Sequence, residues 1–225
     1  MLTTRSDRLI VAGLLGLGLV PAIAGVARLG GMAGHPAVTE ANARFLAAPL
    51  PVVLHIISVL PFSLLGAFQF APGFRKSQRR WHRMAGRALA PLGLVAALTG
   101  LWMTFSFPWP EPDGIVVYWE RVVVGTAMTA WIVLGAVAVI RRNYAAHGDW
   151  MTRAYALGMG AGTQVFTHLP WFVLVGAPTM TSRAVMMGAG WAINALVAEW
   201  IIHRRKHPVA AARRVAAGRV QAWAS

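Results

Sequence analysis

Long apolar blocks separated by short basic segments constrain this chain more than any other feature of its sequence. Hydrophobic residues make up 57% of the 225 residues and charged residues only 12%, whereas soluble domains carry about 25% charged residues. Uncharged apolar blocks of about 18 or more residues are typical of transmembrane helices. Because a backbone in lipid must satisfy its own hydrogen bonds, each block is predicted to be a helix. The predicted fold class is an all-α integral membrane protein.

The apolar blocks predict six transmembrane helices in one domain, residues 1–203, followed by a basic tail, residues 204–225. Prolines in the second block predict tilt or a kink there. The predicted spans are Leu9–Val26, Phe45–Phe70, Ala88–Phe107, Val116–Ile140, Ala154–Val175 and Ala184–Ile202.

The first block has a second interpretation. Arg5 and Arg8 precede a short apolar run and then Ala22-Ile23-Ala24, which is the pattern of a cleaved signal peptide. Cleavage would leave five helices in the same orientation. The uncleaved helix is favoured because the apolar stretch continues to Val26.

Basic residues predict the orientation of the chain. Most of them fall in alternate connecting segments, whereas the other connectors carry only Arg28, Arg44 and Arg183 and the acidic loop FPWPEPDG. The positive-inside rule then places both termini in the cytoplasm. The net charge of +14 is explained by this topology and not by nucleic-acid binding. The basic rim and tail are predicted to contact anionic lipid headgroups.

Several classes of chemistry are excluded by composition. The chain has no cysteine, so it forms no disulfide and no thiolate metal site. No serine–histidine–acid set or zinc-protease motif is present, and no hydrolytic or transferase site is recognised.

Two similar strings suggest an internal duplication. QRRWHRMAGRALA begins at Gln78 and RRNYAAHGDWMTRAYAL begins at Arg141. Each has an arginine pair, then a histidine, then an arginine that leads into the next apolar block. This predicts a duplicated helical hairpin and a four-helix core within residues 45–175, in which His82 and His147 are quasi-equivalent neighbours at the cytoplasmic face.

The same strings, with LHIISVLPFSLLGAFQF, resemble a family of bacterial predicted membrane proteins, the domain-of-unknown-function family twenty-three-oh-six. The resemblance covers roughly Leu54 to Val175. It implies a topology and a place in the cytoplasmic (inner) membrane of a bacterium, but no activity. The positions of this family type are His55, His82, Gly86, Arg87, His147, Trp150, Met151 and Arg153.

A more distant likeness is to diheme cytochromes of the b561 type, which also have a duplicated four-helix core. The likeness implies haem b as a cofactor, with histidines on four successive helices. Val116–Ile140 contains no histidine, so this chain departs from that pattern.

Four histidines are the candidate cofactor ligands. His55 and His168 lie at similar depths and are predicted to bind one haem axially, with His82 and His147 as the alternative pair. The competing hypothesis for His55 is a hydrogen bond to a backbone carbonyl or to Ser58. For His168 it is capping of carbonyls freed by Pro170.

Arginines next to the inner histidines are candidates for anion contacts. Arg87 and Arg153 are predicted to hold haem propionates or lipid phosphates. Glu199 is expected to pair with Arg205 or another tail residue, or to relay protons with His203.

Packing interactions are predicted for the remaining notable residues. Glu120 and Arg121 are expected to form an ion pair with a neighbouring helix, and Asn194 an interhelical hydrogen bond. Gly158, Gly160 and Gly162 are expected to allow close helix packing.

Three functional classes follow. The first is a b-type-cytochrome-like electron-transfer module with a quinone partner. The second is a scaffold or interaction protein that binds another membrane protein without a cofactor. The third is a small-solute or proton transporter, against which the sequence offers no clearly broken helix pair.

Overall fold

The computed structural model describes residues 4–34 and 36–207, and the tail from residue 208 lies outside the described residues. Helices make up 85% of the structure, and the described part contains no strand. The prediction of an all-α membrane protein is confirmed.

Nine α-helices and one short 3₁₀ turn, Ala67–Phe70, form the described part of the chain. Most of them are long and apolar, and the short ones connect the long ones. The α-helices are α1 (Arg5–Ala33), α2 (Ala43–Ala47), α3 (Pro49–Gly66), α4 (Pro72–Ser77), α5 (Arg79–Ser106), α6 (Ile115–Ile140), α7 (Tyr144–Gly158), α8 (Gly160–Leu174) and α9 (Met180–Lys206).

Within the described residues, five helical segments are long and apolar enough to cross a membrane: α1, α3 with its 3₁₀ turn, α5, α6 and α9. The predicted span Ala154–Val175 is instead divided between α7 and α8, each of 15 residues. The expectation of one continuous helix is therefore corrected. Met159 stands between the two helices, where three glycines within five residues favour an interruption.

The long helices form a closed ring. α3 packs along α5 and α6 along α7, so each predicted hairpin forms a tightly packed pair, and α5 contacts α6 to join the two pairs. α9 packs against α6, α7 and α8, and α1 closes the ring against α3 and α8. His82 is the fourth residue of α5 and His147 the fourth residue of α7, in keeping with their predicted quasi-equivalence.

One end of the bundle, here named the basic end, gathers the start of α1, helix α4, the α6–α7 connection and the end of α9. The Gly73 amide donates to Asp7 Oδ1 at 2.9 Å, which ties α4 to α1. Lys206 Nζ lies 3.0 Å from Asp149 Oδ2, which ties α9 to α7. The arginine-rich connectors thus share one face.

The opposite end, here named the loop end, is formed by residues 36–48, 107–114 and 175–179. The Phe45 and Phe107 rings meet edge to face with centroids 5.8 Å apart. Arg183 Nε lies 3.0 Å from Asp113 Oδ1, which joins α9 to the α5–α6 loop.

An aromatic cluster fills the bundle towards the basic end. The centroid of the Tyr155 ring lies 4.5 Å from that of Phe70 and 5.6 Å from that of Phe62. The Tyr155 hydroxyl donates to the Ser63 carbonyl at 2.6 Å. Gly66 is required beside it, because a Cβ there would stand 2.5 Å from the Tyr155 ring. Tight aromatic packing therefore closes this half of the bundle.

Asn194 spans the interruption between α7 and α8. In an unbroken helix the Ala156 carbonyl would accept from the Gly160 amide. Here Asn194 Nδ2 donates to that carbonyl at 2.9 Å, and Thr163 Oγ1 donates to Asn194 Oδ1 at 2.7 Å. Asn194 thus forms the expected interhelical hydrogen bonds, and these bonds link both sides of the interruption to α9.

Substitution Asn194→Ala removes both of these buried hydrogen bonds and leaves the Ala156 carbonyl without its donor. We expect the free energy of unfolding in mixed micelles to fall by about 1–3 kcal/mol. The control is Ile193→Ala, which truncates a neighbouring side chain that is 45% exposed on the outer surface of the bundle. Equal losses for the two variants would contradict the role given to Asn194.

Candidate functional site

A cavity of about 480 Å³ lies inside the bundle between its middle and the loop end. Drug-sized ligands occupy cavities of about 300–1,000 Å³. The walls come from α1, α2, α3, α5, the α5–α6 loop, α6, the α7–α8 interruption and α9. Among the residues that line it are Arg44, His55, Gly100, Tyr118, Gly158 and Trp191.

The floor of the cavity is the edge of the aromatic cluster. Ser63 and Leu157 line it from that side, and the Ser63 carbonyl accepts the Tyr155 hydroxyl. Gly158 belongs to both features, because a Cβ there would lie 2.8 Å from the Phe62 ring. The cavity is therefore closed towards the basic end by well-packed rings.

His55 presents a hydrogen-bond acceptor to this cavity. Its Nδ1 lies 2.9 Å from the Ala96 carbonyl and 3.2 Å from Thr99 Oγ1. A carbonyl can only accept, so this network assigns the proton to Nδ1 and leaves Nε2 as an acceptor. The expected carbonyl partner is present, and it is Ala96 on α5; Ser58 is not the partner.

His168 uses both of its ring nitrogens elsewhere. Nδ1 lies 2.7 Å from the Gln164 carbonyl and Nε2 lies 2.9 Å from Arg183 Nη1. The carbonyl that His168 contacts is one turn back, and is not the one freed by Pro170. His168 does not line the cavity that contains His55. The structure therefore does not assemble the expected His55–His168 ligand pair.

His82 and His147 are neighbours at the basic end. They are close enough to interact electrostatically, and Arg75 and Arg83 also lie near His82. His147 Nδ1 lies 2.9 Å from the Gly135 carbonyl, which leaves its Nε2 as an acceptor. His82 Nδ1 is buried without a hydrogen-bond partner. Across the described chain, no group of three or more histidines and acids is arranged to hold a metal ion.

The two arginines predicted for anion contacts differ in their surroundings. Arg87 is exposed, whereas Arg153 forms a two-point ion pair with Glu199 and lies 4.9 Å from the Trp150 ring. The expected Glu199–Arg205 pair is therefore corrected. Arg205 instead donates to Thr152 Oγ1 at 3.1 Å.

Asp113 is the centre of an ion network at the loop end. Its carboxylate side chain is only 2% exposed and lies 2.5 Å from Arg121 Nη2 and 3.0 Å from Arg183 Nε. Arg121 thus pairs with the loop that leads into its own helix, and not with a neighbouring helix as expected. The Glu120 carboxylate instead packs against Gly188 of α9.

Arg44 is the cavity residue that sequence analysis missed as a site residue. It lies in the short helix α2, its Nε is fully covered without a hydrogen-bond partner, and its Nη1 makes one long contact of 3.5 Å with the Pro108 carbonyl. Burial lowers the pKa of Arg44, and the nearby Arg121 cation lowers it further. The sequence signal for this site was an arginine in the connector between two predicted spans. That arginine was used only to predict the orientation of the chain.

The comparison with protein families places most of the helical bundle in a family. Residues 52–202, two thirds of the chain, match the family described as "Predicted membrane protein (DUF2306)". The chain belongs to this family. The match begins in α3 and ends in α9, so it includes every cavity wall except those from α1 and α2. No curated protein and no solved structure gives a significant match.

Substitution Asp113→Asn tests the ion network at the loop end. The amide keeps the shape but loses the charge that both arginines contact, so we expect the free energy of unfolding to fall by about 1–3 kcal/mol. Glu111→Gln is the matched control, because Glu111 is an exposed acid of the same loop. If the two variants melt alike in detergent, Asp113 does not hold this end together.

Proposed function

We propose that this membrane protein binds a small, largely apolar molecule inside the bundle and carries it across the membrane. The observation that supports the proposal is the interruption at Met159, because it lies at the wall of the cavity. Gly158, Met159, Ala161 and Gly162 all line the cavity. Secondary transporters commonly build substrate sites near the middle of the membrane from discontinuous helices.

Interrupted helices supply polar backbone groups where side chains are apolar. The amides of Gly160 and Ala161, the first two residues of α8, have no acceptor within their own helix. The Gly162 amide donates to the Met159 carbonyl at 3.0 Å. The first turn of α8 carries the positive end of the helix dipole. His55 Nε2 adds an acceptor from the opposite wall. Such a cavity offers a donor side and an acceptor side within mostly apolar surroundings, as ligand sites do.

Two barriers of different chemistry flank the cavity. The aromatic cluster around Tyr155 closes the way to the basic end, and the Asp113 network braces the loop end. A carrier must open these barriers in turn, and a helix interrupted by glycines next to the cavity is a natural hinge for that movement.

The membrane setting follows from the charge pattern. We propose that the basic end faces the cytoplasm, in the inner membrane of a bacterium, and contacts anionic lipid headgroups. Residues 1–203 would form the transmembrane domain, with residues 45–175 as its duplicated core.

Thiol accessibility tests whether the cavity opens to both sides. The chain has no native cysteine, so Met103→Cys places the only thiol in the cavity wall. We expect an anionic, membrane-impermeant methanethiosulfonate reagent to modify it in right-side-out and in inside-out vesicles, because a carrier exposes its site to each side in turn. The measurement is the mass shift of the purified protein.

The control is Leu98→Cys, since Leu98 is 48% exposed on the outer surface of the bundle and lies far from both ends of α5. In hydrocarbon the thiol does not ionise, and only the thiolate reacts, so no labelling is expected from either side. Labelling of Met103→Cys from one side alone would show that the cavity is a static pocket and would contradict the carrier proposal. A lack of labelling from both sides would show that the cavity contains no water.

A haem-binding electron-transfer module is the second candidate, and a specific observation favours it. His82 and His147 are neighbours on equivalent turns of α5 and α7, and His147 Nε2 is not needed for its contact with Gly135. These two imidazoles, with Arg87 close to His82 in sequence, would hold the haem. The haem would supply reversible one-electron transfer, with quinone as a partner. His55 and His168 do not fit this role, because Arg183 occupies His168 Nε2.

The absorption spectrum of the purified protein separates the two candidates. The redox candidate predicts a Soret band that disappears in His82→Ala and in His147→Ala but remains in His55→Ala. A featureless visible spectrum, in folded protein made with haem available, excludes this candidate and leaves the carrier proposal intact.

A further inference from the structure

Positive charge exceeds negative charge at the end of the cavity nearest the loop end. Arg44, Arg121 and Asp113 line this end of the cavity, two cations and one anion, and Arg28 stacks on the adjacent Phe45 ring. Like charges placed together destabilise a protein unless an anion offsets them. The site therefore carries an excess cation that faces the cavity.

Asp113 does not serve as that anion, because its ion pairs are with Arg121 and Arg183 and it makes none with Arg44. Oδ2 accepts from Arg121 and Oδ1 accepts from Arg183. Arg44 has only the 3.5 Å contact with the Pro108 carbonyl and a stacking contact with the Phe45 ring, 4.6 Å from its centroid. The Arg44 guanidinium thus has no carboxylate partner, and its Nη groups favour an anionic acceptor supplied by a ligand.

The remainder of the cavity is suited to hydrocarbon. Ile56, Leu60, Ala97 and Val124 contribute apolar surface beyond Arg44. The ligand that matches both parts has one anionic group at one end and an apolar chain at the other.

We infer that the cavity takes an amphipathic monocarboxylate, with its carboxylate on Arg44 and its chain between α3, α5 and α6. The inference rests on the proposed function and names its substrate class. A carboxylate is favoured over a phosphate because the guanidinium edge formed by the two Nη groups matches its two oxygens. The Asp113 carboxylate close by would repel a dianion more strongly.

Binding of decanoate and of decanol to the protein in lipid nanodiscs tests the inference, with empty nanodiscs subtracted. The two probes share a chain length and differ in the charged group. We expect decanoate to bind the unmodified protein more tightly than decanol. In Arg44→Gln the decanoate affinity should fall by about 10- to 100-fold, the range for a hydrogen bond to a charged group, while decanol binding changes little.

Two further variants make the result specific. Arg44→Lys keeps the charge without the planar fork, so it should retain part of the decanoate affinity. Arg28→Gln removes a nearby charge from an exposed residue that stacks on the same Phe45 ring, and should have a small effect. An equal loss in Arg28→Gln and Arg44→Gln would overturn the inference, because a diffuse field and not a site at Arg44 would then attract the anion.

The outcomes separate this inference from the carrier proposal. If decanol binds and decanoate binds no more tightly, the carboxylate assignment is overturned while the cavity remains a ligand site. If neither probe binds, the inference is also overturned, and the thiol labelling of Met103→Cys from both sides then decides independently whether the carrier proposal falls with it.

Discussion

A helix that stops inside a membrane must find other partners for the backbone groups it frees, because hydrocarbon offers none. At Met159 this constraint is met by Asn194, whose amide donates to the Ala156 carbonyl and accepts from Thr163. The interruption is therefore a stable feature held by α9. Its remaining polar groups are placed at the cavity wall, and the candidate function depends on that placement.

The cavity lies between two kinds of packing that respond to different forces. Towards the basic end, glycines bring helices so close that Phe62 and Tyr155 fill the space between them, and dispersion and burial hold this barrier. Towards the loop end, one buried carboxylate joins Arg121 and Arg183, and electrostatics hold that barrier. Arg44 remains outside the ion network, which is why the cavity has an unbalanced charge at one end.

Composition and periodicity were sufficient to predict the fold class, the approximate spans and the segregation of arginines to one end. Each of these features depends on properties of single segments. The paired hairpins followed from the repeated strings around His82 and His147. The interruption at Met159 was not predicted, because glycines that allow close packing and glycines that end a helix give the same pattern. The cavity and the role of Arg44 depend on which residues meet across helices, and a single sequence does not contain that information.

Hydrogen–deuterium exchange of the backbone amides around Met159 tests the central claim most directly. If the interruption borders a hydrated cavity, the amides of Gly160 and Ala161 should exchange within seconds, while amides in the middle of α6 remain protected. Protection at Gly160 and Ala161 equal to that of α6 would mean that α7 and α8 form one dry, continuous helix, and the account of the site would be wrong.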